Sequence, residues 1–307
     1  MRVVSLLPSA TEMLFALGIE PVGVSHECDY PPEAADLPAV NSSRIDATAN
    51  SGEIDDQVQD AIDDGGVYEI DRETLAALDP DVIVSQGICD VCAVEDTEIR
   101  EAVADLGLDA EVITSDPHSL ADMLDDLERL GRRLDRSDRA ASARADLEAR
   151  IEAITAQTPD SGPRVAVLDW LDPVMVAGHW VPELVDRVGA TCELADPGDR
   201  SRPREWSEIR ESDPEVLIVS PCGFGLEQTR ENMADLTDRE GWAELSAVQN
   251  DRVYAIDGHH YMNRPGPRLV DSLAALASAV HPGTVEGPTE ATAHLSTDHM
   301  LTDQPLD

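Results

Sequence analysis

Short apolar runs alternate with helical patterns along this chain. Residues 3–7 (Val-Val-Ser-Leu-Leu) are long enough for a buried strand and are cut short by Pro8. A helix is predicted next, with Ser9 as its cap and Gly18 at its end. Strands are predicted over residues 22–25, over 81–85 after Asp79-Pro80, and over 111–114. Strands that alternate with helices in this way predict an α/β fold with parallel sheets.

The second half repeats the first. Arg164-Val165-Ala166-Val167-Leu168 echoes Arg2-Val3-Val4-Ser5-Leu6. A helix over 181–188 closed by Gly189 echoes the one closed by Gly18. Asp79-Pro80-Asp81-Val82-Ile83-Val84-Ser85 returns as Asp213-Pro214-Glu215-Val216-Leu217-Ile218-Val219-Ser220, and a cysteine follows soon after each copy. Residues 252–256 give the last strand of this half and 269–280 a closing helix.

A helical tract lies between the halves. Ser115-Asp116-Pro117 starts it, and Leu120, Met123, Leu124, Leu127, Leu130 and Leu134 keep a 3.6-residue period. Ser137 recaps a second helix that runs to about Gln157, and Pro159 and Pro163 bracket the break after it. The expected fold is two Rossmann-like lobes with parallel sheets, joined by a long connecting helix, with a ligand cleft between the lobes. The expected boundaries are 1–134 for the N-terminal lobe, 135–160 for the connecting helix, 161–281 for the C-terminal lobe and 282–307 for a disordered acidic tail.

Length and composition agree with this. The 307 residues suffice for one large domain or two ordinary ones, and 42% hydrophobic residues mark a globular chain. Charge is lopsided: 63 acidic residues face 22 basic ones, all of them Arg, for a formal net charge of -41. Such a surface repels nucleic acid and anionic lipid in dilute buffer. The acid is spread along the whole length, which points to solvation in concentrated salt and a salt-loving source. No signal-peptide pattern or membrane-length apolar stretch occurs, so a cytoplasmic location is expected for the chain as written, and an extracytoplasmic one if the start site is misassigned. A monomer is expected.

In open α/β sheets, ligands sit beyond the carboxyl ends of the strands, which nominates particular loops. Aromatic residues are only 3% of the chain, yet Tyr30, Trp170, Trp180, Phe224 and Tyr261 all fall in those loops. They suit the flat apolar walls of a large planar ligand. Ser9 and Thr11, near a helix start, suit binding of an anion or amide. Gln86 stands at a strand end, and Arg264 is placed to pair with a ligand carboxylate, amide or phosphate. His26, His179, His259 and His260 lie in the same loops. Any of them could ligate cobalt or iron carried by a ligand, His26 and His259 foremost.

Cys28, Cys89, Cys92 and Cys222 are also in these loops, and the Cys89-x-x-Cys92 spacing fits a thiolate site for zinc or iron. Cys192 reads as a small core residue. The sequence carries no GxSxG, P-loop, HExxH or GxGxxG in the required setting, so a binding protein is expected and not an enzyme.

Residues 4–18, 23–31 (Gly-Val-Ser-His-Glu-Cys-Asp-Tyr-Pro), 80–86, 252–258 and 264–268 resemble the iron-chelate and vitamin B12 periplasmic-binding family, the substrate-binding proteins of ABC importers. They are most similar to its cobalamin-binding branch. The resemblance covers about residues 1–281. It implies a cobalamin-like corrinoid as ligand, held between rigid lobes by aromatic side chains, and docking to a permease and its ATPase. Two alternatives stay open: a binder of haem or another iron chelate, and a Cys-dependent metal-binding or redox protein.

Overall fold

The computed structural model describes residues 1–63, 66–88, 94 and 96–296. The chain forms two compact units. The first comprises Met1–Ala49, Glu53–Leu147 and Pro265–Pro267; the second comprises Asn50–Gly52, Glu148–Arg264 and Arg268–Asp307.

The N-terminal unit runs β1 (Val3–Ser5), α1 (Pro8–Ala16), β2 (Gly23–Val24), β3 (Asn41–Ser43), α2 (Ser51–Asp63), β4 (Tyr68–Ile70), α3 (Arg72–Leu78), β5 (Val82–Gln86), α4 (Asp96–Leu106), β6 (Glu111–Ser115) and α5 (Leu120–Arg133). Four strands pair in parallel in the order β2-β1-β5-β6. Every residue of β1 and β5 is buried, as expected for parallel strands covered on both faces. β3 and β4 form a separate antiparallel pair. Helix α5 turns its Leu120, Met123, Leu124, Leu127 and Leu130 face inward, as the sequence period predicts. Helix α6 (Ser137–Thr155) follows it and passes from the first unit into the second at Leu147.

The C-terminal unit continues with β7 (Val165–Leu171), β8 (Val174–Val176), α7 (Val181–Arg187), β9 (Arg202–Pro203), α8 (Trp206–Ser212), β10 (Val216–Val219), α9 (Leu226–Glu231), α10 (Ala234–Thr237), α11 (Ser246–Gln249), β11 (Val253–Ile256), a π-helical turn at Gly258–Met262, α12 (Leu269–Val280) and β12 (Thr292–His294). The sheet order is β12-β11-β10-β7-β8-β9. The central β11, β10 and β7 are parallel, whereas β8, β9 and β12 add antiparallel edges.

The internal repeat extends to individual hydrogen bonds. The Arg2 carbonyl accepts from the N–H groups of Asp81 and Val82, and the Arg164 carbonyl from those of Glu215 and Val216. Arg2 Nε donates to the carbonyl of Leu78, the last residue of α3, and Arg164 Nε to that of Ser212, the last residue of α8. Each helix then ends on a left-handed aspartate, Asp79 at φ 42° and Asp213 at φ 40°. Gly18 (φ +70°) and Gly189 (φ +72°) close α1 and α7. Their N–H groups bond back to Phe15 and Asp186, and the residues after them to Leu14 and Val185, the same two-bond helix stop in both places.

Three expectations are corrected. Ser9 is not the cap of α1. Leu7 holds the cap position without a side-chain bond, and Pro8, whose missing N–H costs nothing there, opens the helix. The strand expected to end at Leu168 runs on to Leu171, because it turns at Asp172-Pro173 into a hairpin with β8. Residues 282–296 are ordered and not a disordered tail: β12 pairs with β11, while Val285, Ala291 and Leu295 are buried. Backbone pairing at a sheet edge asks little of the sequence, so Thr-Ala-His gave no apolar signal.

Candidate functional site

In the N-terminal unit the strand ends are mostly closed. Ser9 is 3% exposed in the first turn of α1. Thr11 is wholly buried, and its hydroxyl donates to Ser5 Oγ at 2.9 Å and lies 3.1 Å from Cys28 Sγ. Cys28 packs with Val24, Ala34, Phe15 and Leu37. Thr11 and Cys28 are therefore core groups that tie α1 to β1 and to the loop after β2, in place of the anion-binding and metal-ligating roles expected of them. His26 Nδ1 lies 3.1 Å from Asn41 Oδ1 and Nε2 lies 3.4 Å from Glu27 Oε1. The Glu27 hydrogen bond, against the opposing effect of burial and with help from Asn41, raises the His26 pKa. Gln86 ends β5 and is buried, while Tyr30 is 45% exposed. Cys89 and Cys92 lie outside the described residues.

Beside these strand ends is a polar cluster that sequence reasoning missed. Asp96 Oδ1 accepts from Ser85 and Thr114, and Arg100 Nε lies 2.5 Å from its Oδ2. Burial works to raise this carboxyl, but the Arg100, Thr114 and Ser85 hydrogen bonds outweigh it and hold the pKa low. The Asp96-x-x-x-Arg100 spacing within a helix was the available signal.

The C-terminal unit is chemically richer at its carboxyl edge. Inside β7, two residues before its end, stands Asp169, whose Oδ1 is enclosed and without a hydrogen-bond partner. Desolvation pushes its carboxyl up to about 6, against the pull of a Ser201 hydrogen bond. Trp170, partly exposed, packs its ring at 5.3 Å from Phe224, which follows β10. Trp170 lies inside β7 and not in a loop. Cys222, two residues before Phe224 in sequence, is half-buried, and its N–H is bonded to the Asp169 carbonyl.

The loop after β11 is wound into the π-turn. The Phe224 carbonyl accepts from both Gly258 and His259, and a side chain at 258 would overlap the Pro221 carbonyl. Asp257 Oδ1 accepts from the His260 N–H at 2.7 Å, and its Oδ2 from His260 Nδ1 at 2.9 Å. Burial again opposes, yet these two bonds and the charges of His260 and His259 keep the Asp257 pKa low. His259 Nε2 lies 3.3 Å from Arg264 Nη2, and the two histidine rings meet edge to face at 4.4 Å. Arg264 is buried, at 5% exposure. The Asp257-x-x-His260 pair was a legible signal, since that spacing brings side chains together on a helical turn.

The other expected aromatics are more enclosed than a ligand wall requires. Trp180 is 5% exposed and its indole N–H donates to the Met262 carbonyl at 2.9 Å. It clamps the π-turn to the start of α7. Tyr261 is 8% exposed; burial and its bond to Glu290 push its pKa to about 12. His179 adopts φ +53°, and its ring lies 5.6 Å from that of Trp180, tilted by 32°. Cys192 is half-buried near the amino end of β7, where Thr191 bridges Arg164, and burial raises its pKa. Cys28, Cys192 and Cys222 are not in disulfides.

The arrangement is that of a binding protein: an α/β scaffold with aromatic, imidazole and guanidinium groups at strand ends. The chain matches the periplasmic binding protein family over residues 3–259 and belongs to it. Among individual proteins it is similar to the vitamin B12-binding protein of Vibrio cholerae, at 24% identity over 278 residues spanning 89% of this chain and 86% of the relative. The cobalamin-binding protein of Halobacterium salinarum is 24% identical over 296 residues, 92% of this chain and 70% of the relative. Of solved structures, a periplasmic heme-binding protein from Pseudomonas aeruginosa superposes with a TM-score of 0.72 at 21% identity, covering 96% of this chain and 98% of the other. The periplasmic vitamin B12-binding protein BtuF of Vibrio cholerae gives 0.64 at 24%, covering 91% and 96%. Both structures agree with the α/β fold. Among the described residues no helix is long and apolar enough to cross a membrane.

Proposed function

We propose that this chain is the substrate-binding component of an ABC-type importer and that its ligand is a corrinoid. The observation that carries the reading is the carboxyl edge of the C-terminal sheet, where the Trp170–Phe224 ring pair stands at the ends of neighbouring strands and the His259, His260 and Arg264 turn at the end of the next. A corrinoid presents a broad apolar face, peripheral amides and a metal, and these side chains answer each in kind. The two relatives named for vitamin B12 or cobalamin support the corrinoid over other chelates. The role implies work on the outer side of the cytoplasmic membrane and docking to a permease with its ATPase, which co-purification from membranes tests.

Equilibrium dialysis against cyanocobalamin in concentrated salt is the direct test, with saturable one-to-one retention expected. Trp170→Ala should weaken it by about 10- to 100-fold, since losing a wall-forming indole removes about 1.5–3 kcal/mol of apolar contact. A protein that retains no form of cobalamin rejects the reading. Ferric haem belongs in the same panel, because the imidazoles of the π-turn suit iron as well as cobalt.

A further inference from the structure

Past α12 the chain doubles back along the C-terminal unit, in a stretch that lies beyond the family match over residues 3–259. His281 Nε2 first pins it by donating to the Val188 carbonyl at 2.8 Å. At Gly287 it lies so close to α12 that a Cβ would meet the Ala274 carbonyl at 3.0 Å. Val285, Ala291 and Leu295 are buried, and β12 then pairs with β11. Between these anchors the segment makes two polar contacts with the loop after β11. The Ala291 carbonyl accepts from the Asp257 N–H at 2.8 Å, and Glu290 Oε1 accepts from the Tyr261 hydroxyl at 3.1 Å.

The π-turn is thereby held from three sides. The Phe224 carbonyl takes the N–H groups of Gly258 and His259, the Trp180 indole donates to the Met262 carbonyl, and the returning segment takes Asp257 and Tyr261. The Tyr261 ring is enclosed, with the Arg268 guanidinium over it at 5.6 Å, whereas Glu290 is exposed. Burial and the bond to Glu290 raise the Tyr261 pKa, while its own backbone N–H and the Tyr261 hydroxyl keep Glu290 low. At neutral pH the bond thus joins a phenol to a carboxylate. A phenylalanine would fill the same space, so the hydroxyl fixes where the turn sits more than whether it packs.

We propose that residues 282–296 are a strap that sets the π-turn for ligand binding, with Glu290 as a positioning residue that acts through Tyr261. This rests on the chelate-binding reading above. A turn fixed in advance has less freedom to lose when ligand arrives, so the strap contributes affinity without touching the ligand.

The test measures cyanocobalamin retention and urea unfolding side by side in concentrated salt. Tyr261→Phe and Glu290→Ala should each weaken retention by about 3- to 10-fold, the scale of one hydrogen bond. The double variant should lose no more than either alone, because both changes remove the same bond. Glu290→Gln keeps an acceptor oxygen and should recover most of the loss. The unfolding midpoint should barely move in any of them. Amide hydrogen exchange of the unliganded protein gives a readout that needs no ligand: Glu290→Ala should speed exchange at Gly258 and His259 and leave β10 unchanged. Retention that is normal in both single variants, or losses that add in the double variant, overturn the positioning role. So does a fall in the unfolding midpoint that matches the loss of retention. A wild-type protein that retains no cobalamin rejects the corrinoid reading by itself. In that case faster exchange in the turn still supports the strap, and unchanged exchange overturns it too.

Discussion

Leu7 and Asp169 occupy the same place counted from Arg2 and Arg164, Leu7 just past β1 and Asp169 inside β7. Leu7 is 5% exposed and apolar, whereas Asp169 carries a carboxyl with an enclosed, unpartnered oxygen. One position further on, Pro8 starts a helix, whereas Trp170 continues its strand into a hairpin. At the opposite ends of these strands the two units share the bonds from the arginine carbonyls and Nε groups and the left-handed aspartates. The parts that set the path of the chain are thus shared. The parts that carry chemistry have diverged: Thr11 and Cys28 are buried in one unit, beside His26 and the Asp96–Arg100 pair, while the Trp170–Phe224 pair, His259, His260 and Arg264 stand in the other.

The shared helix stops offer the sharpest way to break this equivalence. Both Gly18 and Gly189 sit at positive φ, so an alanine strains either by about 1–2 kcal/mol. Their surroundings differ. A Cβ at Gly18 would meet the end of the Arg139 side chain at 2.6 Å, and that side chain can swing away. A Cβ at Gly189 would overlap the backbone carbonyl of Pro159, which cannot move alone. Gly189→Ala should therefore cost about 3–5 kcal/mol against about 1–2 for Gly18→Ala, read from urea unfolding in concentrated salt. Equal losses would mean that the second stop has as much slack as the first.

Much of the scaffold was legible because buried parallel strands are written as unbroken apolar runs and left-handed helix ends as Gly or Asp. The misses have physical causes. β7 was cut short because Asp169 interrupts its apolar run, although a hairpin partner holds the backbone extended. β12 was invisible because an edge strand needs only hydrogen bonds. At the site, loop membership could be read but the fate of each side chain could not. Trp180 and Thr11 looked like ligand contacts until their indole and hydroxyl were found committed to Met262 and Ser5. That Asp257 comes under His260 depends on the π-turn at Gly258–Met262, in which the Asp257 side chain accepts from the His260 N–H.

Asp169 gives the next largest contrast with its apolar counterpart. Its folded-state pKa is raised from 3.8 to about 6 by desolvation. Between those values the folded protein still holds the proton that the unfolded chain has released, so the site's contribution to stability is full below pH 3.8 and is lost as pH rises towards 6. A shift of that size corresponds to about 3 kcal/mol. Asp169→Asn cannot ionise. The stability of the variant relative to wild type should thus improve by up to about 3 kcal/mol from below pH 4 to pH 7, at fixed high salt. A difference that stays flat across this range would show that the carboxyl is hydrated after all and that Leu7 and Asp169 are less unlike than they look.

The smallest effect comes from the pair that looks most alike. Asp79 and Asp213 both end a seven-residue helix in a left-handed conformation that glycine adopts without strain. Asp213 also accepts from the N–H and hydroxyl of Ser246, at 2.8 and 2.7 Å, and so fastens α8 to α11; those two bonds hold its pKa low. The Asp79 side chain makes no such link among the described residues. Glycine at 79 should relieve strain and stabilise the protein by about 0.5–1 kcal/mol, whereas glycine at 213 should give a net loss of about 1 kcal/mol, because the bonds to Ser246 outweigh the relief. Opposite signs from one substitution at two matched positions would place the divergence of the units in their side-chain links, with the backbone unchanged. Gains at both positions would mean that the Ser246 bonds contribute little and that the two helix ends are equivalent in energy as well as in shape.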